Sequence, residues 1–133
     1  MDGLLEAANW YGKAFVDADT VHPLLFWDGK GKVFKVAPQL RLMELALRFP
    51  LPHARAVRPL LGSMTRLLQT QRSQARVRRV AYRQTVSATM IYDRLPIHDH
   101  FRWVDGDRLL GLMDWKGMAQ PFFFTLTRSG PAA

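Results

Sequence analysis

The fold is decided by residues 86–115, VSATMIYDRLPIHDHFRWVDGDRLLGLMDW. Within this stretch apolar and polar side chains alternate with the period of two that is typical of half-buried β-strands, and the breaks contain Pro, Gly and Asp. Continued in both directions, the pattern predicts five strands: Val77–Gln84, Val86–Tyr92, Ile97–Val104, Arg108–Trp115 and Pro121–Arg128. Because each break is short enough for a hairpin, we expect an antiparallel meander over residues 76–128.

The first half of the chain predicts helices around one hairpin. A short helix is expected over residues 2–10, and Gly12 ends it. An Asp-Gly step between apolar runs predicts the hairpin, and apolar residues at helical spacing predict two further helices. These elements span Leu24–Trp27 and Lys32–Val36 for the hairpin, and Leu40–Phe49 and Arg55–Gln71 for the helices.

We therefore expect a single domain over residues 1–133 that is mainly β with two or three helices. Residues 1–71 supply the helix, hairpin and helix part, and residues 76–128 supply the meander. A sheet with one apolar face must close on itself or be covered by another layer. The predicted fold is an antiparallel barrel or a strongly curved sheet, with the helices covering one end.

Composition narrows the class of protein. The chain has no cysteine, which excludes disulfides and thiolate metal sites and suits a reducing compartment. Neither a signal peptide nor an apolar run of about 18 residues is recognisable, so we expect a cytoplasmic protein without a membrane span. The net charge is +8, and the segment 41–83 holds ten arginines against the single acid Glu44. Such a band attracts anions. The sequence contains no RNA- or DNA-binding signature, so nucleic acid is not the favoured partner.

Two groups of segments carry a family resemblance. NWYGKAF at residues 9–15 and VHPLLF at 21–26 form the first group, and VSATMIYD, PIHDHFR, LGLMDWKG and PFFF in residues 86–124 form the second. Together they resemble a family of uncharacterised bacterial proteins that is named for a GxWxG motif and carries a companion C-terminal domain of unknown function. The resemblance covers nearly the whole chain and implies no established reaction.

The GxWxG motif itself is absent, because Met1 stands where the residues after that motif would begin. Either the start lies upstream, or a first strand is lacking and the exposed edge is completed by a second copy or by the tail. A Gly-x-Trp first strand also resembles lipocalins, whose last strand ends in an arginine, and Arg128 is suitably placed. The likeness implies a lipocalin-like barrel and, as an analogy of fold, no function.

Asp99 is the most informative side chain for chemistry, since alternation places it on the apolar face of its strand. A buried carboxylate costs several kcal/mol unless it is paired or protonated. Tyr82, Arg83 and Tyr92 on neighbouring strands are the predicted partners. Two interpretations stay open: a core ion pair that fixes strand register, and a ligand-binding or catalytic carboxylate.

His98 and His100 stand two residues apart and therefore share one face of their strand. Two imidazoles on one face form a weak candidate metal site, with Asp114 or His22 as a third ligand, or a single axial haem ligand. Two polar histidines on a strand surface are the simpler interpretation. No cofactor is predicted.

These observations favour a small-molecule-binding protein with an apolar or amphipathic acidic ligand, fatty-acid-like or haem-like, inside a β-barrel. A small enzyme of the isomerase, lyase or hydrolase type, in which Asp99 with His98 or His100 acts as acid and base, is the alternative. A protein-interaction module, or a homodimer through an exposed edge strand, is the second. The predicted ligand contacts are Tyr82, Arg83, Met90, Tyr92, Asp99, Phe101, Arg102, Met113, Asp114 and Lys116.

Overall fold

The computed structural model of the protein describes residues 10–38 and 67–129, and within these ranges eight strands form one antiparallel sheet. The strand order is β1-β2-β4-β5-β6-β7-β8, with β3 paired to β2 beside this path. The strands are β1 (Trp10–Phe15), β2 (Val21–Trp27), β3 (Val33–Lys35), β4 (Ala75–Tyr82), β5 (Thr85–Tyr92), β6 (Ile97–Trp103), β7 (Arg108–Trp115) and β8 (Phe122–Thr127).

The meander β4 to β8 lies within two residues of the strands that the alternation predicts. Each strand pairs with the next along the chain, because the connections are short. The largest difference falls between β4 and β5, where the sequence prediction continued the strand to Gln84. Arg83 and Gln84 instead have positive φ angles of 48° and 66°, which form a tight two-residue turn between Tyr82 and Thr85.

The predicted fold class with two or three helices is wrong, because every secondary-structure element in residues 10–38 and 67–129 is a strand. The first predicted helix ran to Trp10, where β1 begins. The predicted helix Leu40–Phe49 lies outside the described residues, as does Arg55–Gln71 up to residue 66. In the described remainder, Gln69 forms an isolated β-bridge with Val36.

The eight strands curl into a nearly closed barrel, in which β1 and β8 are the two edges of the sheet. Side chains hold these edges near each other: the Trp10 and Phe124 rings meet edge to face with centroids 6.4 Å apart, and Tyr11 Oη donates a hydrogen bond to Ser129 Oγ at 2.9 Å. The closer likeness to lipocalins and the homodimer through an edge strand stay predictions. None of the described residues forms a helix long and apolar enough to cross a membrane.

The interior of the barrel has a closed end and an open end. At the closed end, β4 to β7 contribute buried apolar side chains that include Ala75, Tyr92, Ile97 and Trp115. Leu95, in the turn between β5 and β6, packs into the same cluster. Sheets with one apolar face bury it by closing in this way.

Gly111 on β7 leaves the space that the aromatic ring of Phe124 occupies. It stands in register between Phe101 of β6 and Phe124 of β8, and the Phe124 ring lies directly over its α-carbon. A side-chain carbon at position 111 would overlap that ring at a distance that real carbon atoms do not adopt. Glycine is therefore required here by a close approach between a strand and a ring.

Substituting Gly111→Ala is expected to lower the free energy of unfolding by about 1–3 kcal/mol, because the Phe124 ring must move out of a packed interior. Chemical denaturation of the variant and the parent protein measures the loss. Gly106→Ala is the matched control, since an added carbon at Gly106 meets no atom within 4 Å. Equal stabilities for the two variants would contradict this account of Gly111.

Candidate functional site

One row of inward-facing side chains crosses five neighbouring strands near the middle of the barrel. Cross-strand partners in register lie on the same face of a sheet, so the row can be followed from β4 to β8. It consists of Val77, Met90, Asp99, Met113 and Phe122. Asp99 is the one charged member of this apolar row, and only 1% of its side chain is exposed.

The partner of Asp99 comes from β1. Lys13 Nζ lies 3.1 Å from Asp99 Oδ2, and 4% of the Lys13 side chain is exposed. The ammonium also donates hydrogen bonds to the carbonyl oxygen of Pro23 at 3.2 Å and to Tyr92 Oη at 3.4 Å. A buried charge without a partner is strongly destabilising, so each of these two residues depends on the other.

Aromatic rings surround the Lys13 ammonium. Nζ lies 5.1 Å from the centroid of the Phe124 ring, 5.7 Å from that of Tyr92 and 5.9 Å from that of Trp10. Ring faces attract cations at these distances, and the attraction grows when the cation is removed from water. The cage therefore offsets part of the cost of burying the ammonium.

Burial changes the acidity of two groups at this site. It raises the pKa of Asp99, because the ionised form loses its hydration; the nearby positive charge of Lys13 opposes this rise without cancelling it. Burial also raises the pKa of the Tyr92 hydroxyl well above its ordinary value, and the carboxylate of Asp99 adds to that rise. Tyr92 consequently remains a protonated hydroxyl at neutral pH.

Three polar atoms at the site are buried without a hydrogen-bond partner among the described residues: both carboxylate oxygens of Asp99 and Nε1 of Trp10. Oδ2 lies within ion-pair distance of Lys13 but does not accept a well-oriented hydrogen bond. Buried polar atoms in proteins are nearly always partnered. The centre of the barrel thus retains acceptors and a donor for a polar group that enters it.

The open end of the barrel forms a mouth, which is a cavity of about 500 Å³. Its wall is mainly apolar, with Phe101 at its base and Phe15, Val86, Trp103 and Leu109 around it. The exposed fraction reaches 67% for Trp103, 57% for Val86 and 43% for Phe15. Large apolar side chains grouped around a concave opening are typical of a surface that binds an apolar partner.

A short series of aromatic contacts joins the mouth to the ion pair. The rings of Phe15 and Phe101 are 5.7 Å apart, and those of Phe101 and Phe124 are 6.1 Å apart, both edge to face. Phe124 in turn contacts the Lys13 ammonium. The ion pair therefore lies beneath the base of the mouth, behind two phenylalanine rings.

The two predicted histidines do not meet Asp99. His98 and His100 occupy the opposite face of β6, where His98 is the cross-strand partner of Asp114. The strand backbone separates both imidazoles from the carboxylate, so the acid-base arrangement proposed from the sequence is not assembled. Among residues 10–38 and 67–129, no group of three or more His, Cys, Asp or Glu side chains is arranged to hold a metal ion.

His100 makes contacts that are typical of a structural histidine. Its ring stacks on Tyr82 with centroids 4.2 Å apart, and its Nδ1 lies 2.9 Å from Thr89 Oγ1. Burial lowers its pKa, although the carboxylate of Asp114 opposes the change. The imidazole is therefore neutral over most of the physiological range.

The remaining predicted contacts divide between the interior and the surface. Arg83 lies in the exposed β4–β5 turn, where its guanidinium covers the Tyr82 ring at 5.2 Å, and it forms no ion pair with Asp99. Lys116 is exposed just after β7. Those that line the interior are Met90, Tyr92, Asp99, Phe101 and Met113. Arg102 borders the mouth, with its side chain on the outward face of β6.

Lys13 is the residue of the candidate site that the sequence reasoning missed. Its strand pairs irregularly with β2, with register shifts on both sides of Gly12, whose φ is 149°. Such bulges redirect side chains and interrupt the alternation by which a strand is recognised. The one available signal was Asp99 itself, because a carboxylate in an apolar row requires a cation from somewhere in the chain.

Comparison with known proteins places the two members of the ion pair in two different family regions. A GXWXG protein family matches residues 1–31, and a domain of unknown function (DUF4334) matches residues 73–128. The chain combines a GXWXG region with its companion domain. The resemblance predicted from the sequence is thereby confirmed. Lys13 belongs to the GXWXG region and Asp99 to the companion domain, so the buried ion pair joins the two.

This chain is similar to a protein from Thermomonospora curvata whose crystal structure is known: the two share 37% sequence identity, and their structures superpose with a TM-score of 0.65. The match covers 96% of this chain and 64% of the other, so the chain spans about two thirds of the length of that protein. A search of curated proteins gives no match.

Breaking the ion pair on one side is expected to destabilise the protein strongly. Lys13→Met and Asp99→Leu should each lower the free energy of unfolding by about 3–5 kcal/mol, because each leaves a buried polar group of the partner uncompensated. The double variant should be close to the parent protein, since an apolar pair of similar volume replaces both charges. Additive losses in this double-mutant cycle, measured by denaturation, would show that the two side chains are independent.

The pH dependence of Lys13→Met gives a second test. Without the ammonium, burial raises the pKa of Asp99 unopposed. The native state then keeps its proton over the range between the ordinary aspartate value and the raised native value, where the unfolded chain has lost it. The free energy of unfolding should therefore fall as pH rises through that range, more steeply than in the parent protein. A flat profile would contradict the assigned burial.

Proposed function

We propose that the barrel binds an apolar or amphipathic acidic small molecule in its mouth. The observation that carries this proposal is the open cavity of about 500 Å³, whose wall displays the partly exposed side chains of Phe15, Val86 and Trp103. Ligand sites in proteins commonly have volumes of about 300–1,000 Å³ and mainly apolar walls. The apolar part of a bound ligand covers the apolar surface that water now contacts.

Positive charge at the mouth favours an acidic head group. Arg79 stands on the inward face of β4, as the cross-strand partner of Ala88 in the cavity wall. Arg102 also borders the cavity, but its position in β6 places its side chain on the outward face, with His98 and His100. Neither guanidinium forms an ion pair with a carboxylate of the described residues. The net charge of +8 adds a field that attracts anions towards the protein.

These features orient the ligand. Its acidic group stays at the rim beside Arg79, and its apolar part points inward onto Phe101. Asp99 does not contact the acidic group, because like charges repel and because the carboxylate is buried beneath the base of the mouth. This orientation replaces the contact between an acidic ligand and Asp99 that the sequence suggested.

A series of saturated fatty acids of increasing length, from octanoate upward, tests the proposal by titration calorimetry. Each added methylene that enters the cavity should raise the affinity about fourfold, equivalent to about 0.8 kcal/mol, until the cavity is filled. Native mass spectrometry of freshly purified protein reports any ligand that is already bound. Affinity that does not depend on chain length, or no binding at all, would contradict the proposal.

Two substitutions locate the binding. Ala88→Phe places a ring in the mouth and should abolish binding, because Ala88 lines the cavity and its exposed side chain leaves room for growth. Arg79→Gln should weaken binding of the acids but not of the matching alcohols, because Arg79 is the arginine on the inward face at the mouth. Arg94→Gln is the control, since Arg94 is an exposed arginine in the β5–β6 turn, at the closed end. Equal losses from Arg79→Gln and Arg94→Gln would assign the effect to overall charge instead of to the mouth.

A further inference from the structure

Lys13 differs from the other lysines of the chain in its surroundings. The protein has five lysines, and Lys30, Lys32 and Lys116 are exposed while Lys35 is partly buried. The Lys13 amine lies inside the barrel among three aromatic rings. A lysine amine becomes an effective nucleophile when it is removed from water and when a base can accept its proton.

Asp99 is placed to accept that proton. Its Oδ2 lies 3.1 Å from Nζ, and neither carboxylate oxygen accepts a hydrogen bond from another described residue. A proton transfer across this distance converts two buried charges into a neutral amine and a neutral acid. Burial disfavours the ionised carboxylate and raises the pKa of Asp99, which makes this carboxylate a stronger base for that proton.

Donors for an oxygen atom stand beside the amine. Tyr92 Oη lies 3.4 Å from Nζ, and its hydroxyl stays protonated. The indole of Trp10 is within 5.9 Å of Nζ, and its Nε1 is a buried donor without a partner among the described residues. Addition of an amine to a carbonyl group places negative charge on the carbonyl oxygen, and donors of this kind stabilise such charge.

The mouth leads to this amine. Phe101 forms the base of the cavity, its ring contacts Phe124, and Phe124 lies 5.1 Å from Nζ. The rings of Phe101 and Phe124 therefore connect the base of the cavity to the amine. Rotation of Phe101 opens the path, and aromatic side chains reorient by changing rotamer without unfolding the strand.

We propose that Lys13 captures an apolar aldehyde or ketone that enters through the mouth, as an imine. This inference rests on the proposed function, because the same cavity must first bind the apolar part of the molecule. It adds a reaction and a substrate class to that site: the carbonyl carbon faces the amine, and the chain of the ligand fills the mouth.

The reaction balances without a further reagent. Asp99 takes a proton from the Lys13 ammonium, and the free amine attacks the carbonyl carbon to form a carbon-nitrogen bond. The carbonyl oxygen takes up protons and leaves as water, and a carbon-nitrogen double bond remains. In sum, an ammonium and a carbonyl compound give an iminium ion and water, the Asp99 carboxylate is regenerated, and nothing is oxidised or reduced.

Reductive trapping of the protein with decanal tests the inference. Cyanoborohydride is added to reduce any imine, intact mass counts the decyl groups, and peptide mapping locates them. We expect Lys13 to be modified first and by one group per chain, ahead of Lys30, Lys32 and Lys116, which serve as internal controls. Modification of those exposed lysines while Lys13 stays free would overturn the proposal.

Parallel measurements separate this inference from the proposed function. Ala88→Phe should suppress modification of Lys13 several-fold and leave that of the exposed lysines unchanged, since it closes the mouth. Unchanged Lys13 labelling in this variant would overturn entry through the mouth. Decanoate binding to the parent protein without any Lys13 adduct from decanal would overturn the imine and leave the proposed function standing. A Lys13 adduct without decanoate binding would support the imine and contradict the preference for an acidic ligand.

Discussion

The ion pair between Lys13 and Asp99 is the constraint on which the rest of this structure depends. Two charges removed from water must stay together, because either one alone would be strongly destabilising. The pair connects β1 to β6, which are not neighbours in the sheet. It therefore fixes the position of the GXWXG region inside the companion domain, across a barrel whose edge strands meet through side chains.

The barrel interior is divided into regions of different chemistry along its axis. The closed end is a packed apolar core, the centre holds the ion pair with its aromatic cage, and the open end is an apolar mouth. Phe101 and Phe124 separate the last two regions, and Gly111 leaves the space in which the Phe124 ring lies. Such an arrangement keeps water from the charged centre and presents an apolar surface to a ligand.

How far the sequence predicts this structure depends on how regular each strand is. The five strands of the meander largely follow a period of two, and the inward position of Asp99 follows from the same pattern. β1 could not be predicted in this way, because the irregular pairing at Gly12 breaks the alternation, and a helix was expected where Trp10 begins a strand. The turn at Arg83 and Gln84 was also missed, since neither residue is the glycine or asparagine that usually marks positive φ.

The candidate site combines contacts between neighbouring strands, which the sequence predicts, with one contact between distant segments, which it does not predict. Met90, Asp99 and Met113 could be grouped from strand register alone, because hairpins make neighbouring strands neighbours in sequence. Arg83 and Tyr82 were expected beside Asp99 for the same reason, whereas the cation arrives from a strand 86 positions earlier in the chain. Lys13 reaches Asp99 only in the folded barrel. The alternation of side chains along a strand gives no information about a contact between strands so far apart in sequence.

A carbon-13 NMR titration of the Asp99 carboxyl group is the most direct measurement of the central claim. The account predicts that this carboxyl titrates above the ordinary aspartate range, because it is buried, and that replacing Lys13 with methionine moves its midpoint further upward. A midpoint in the ordinary range that does not respond to Lys13 would mean that Asp99 is hydrated and unpaired, and would contradict the account.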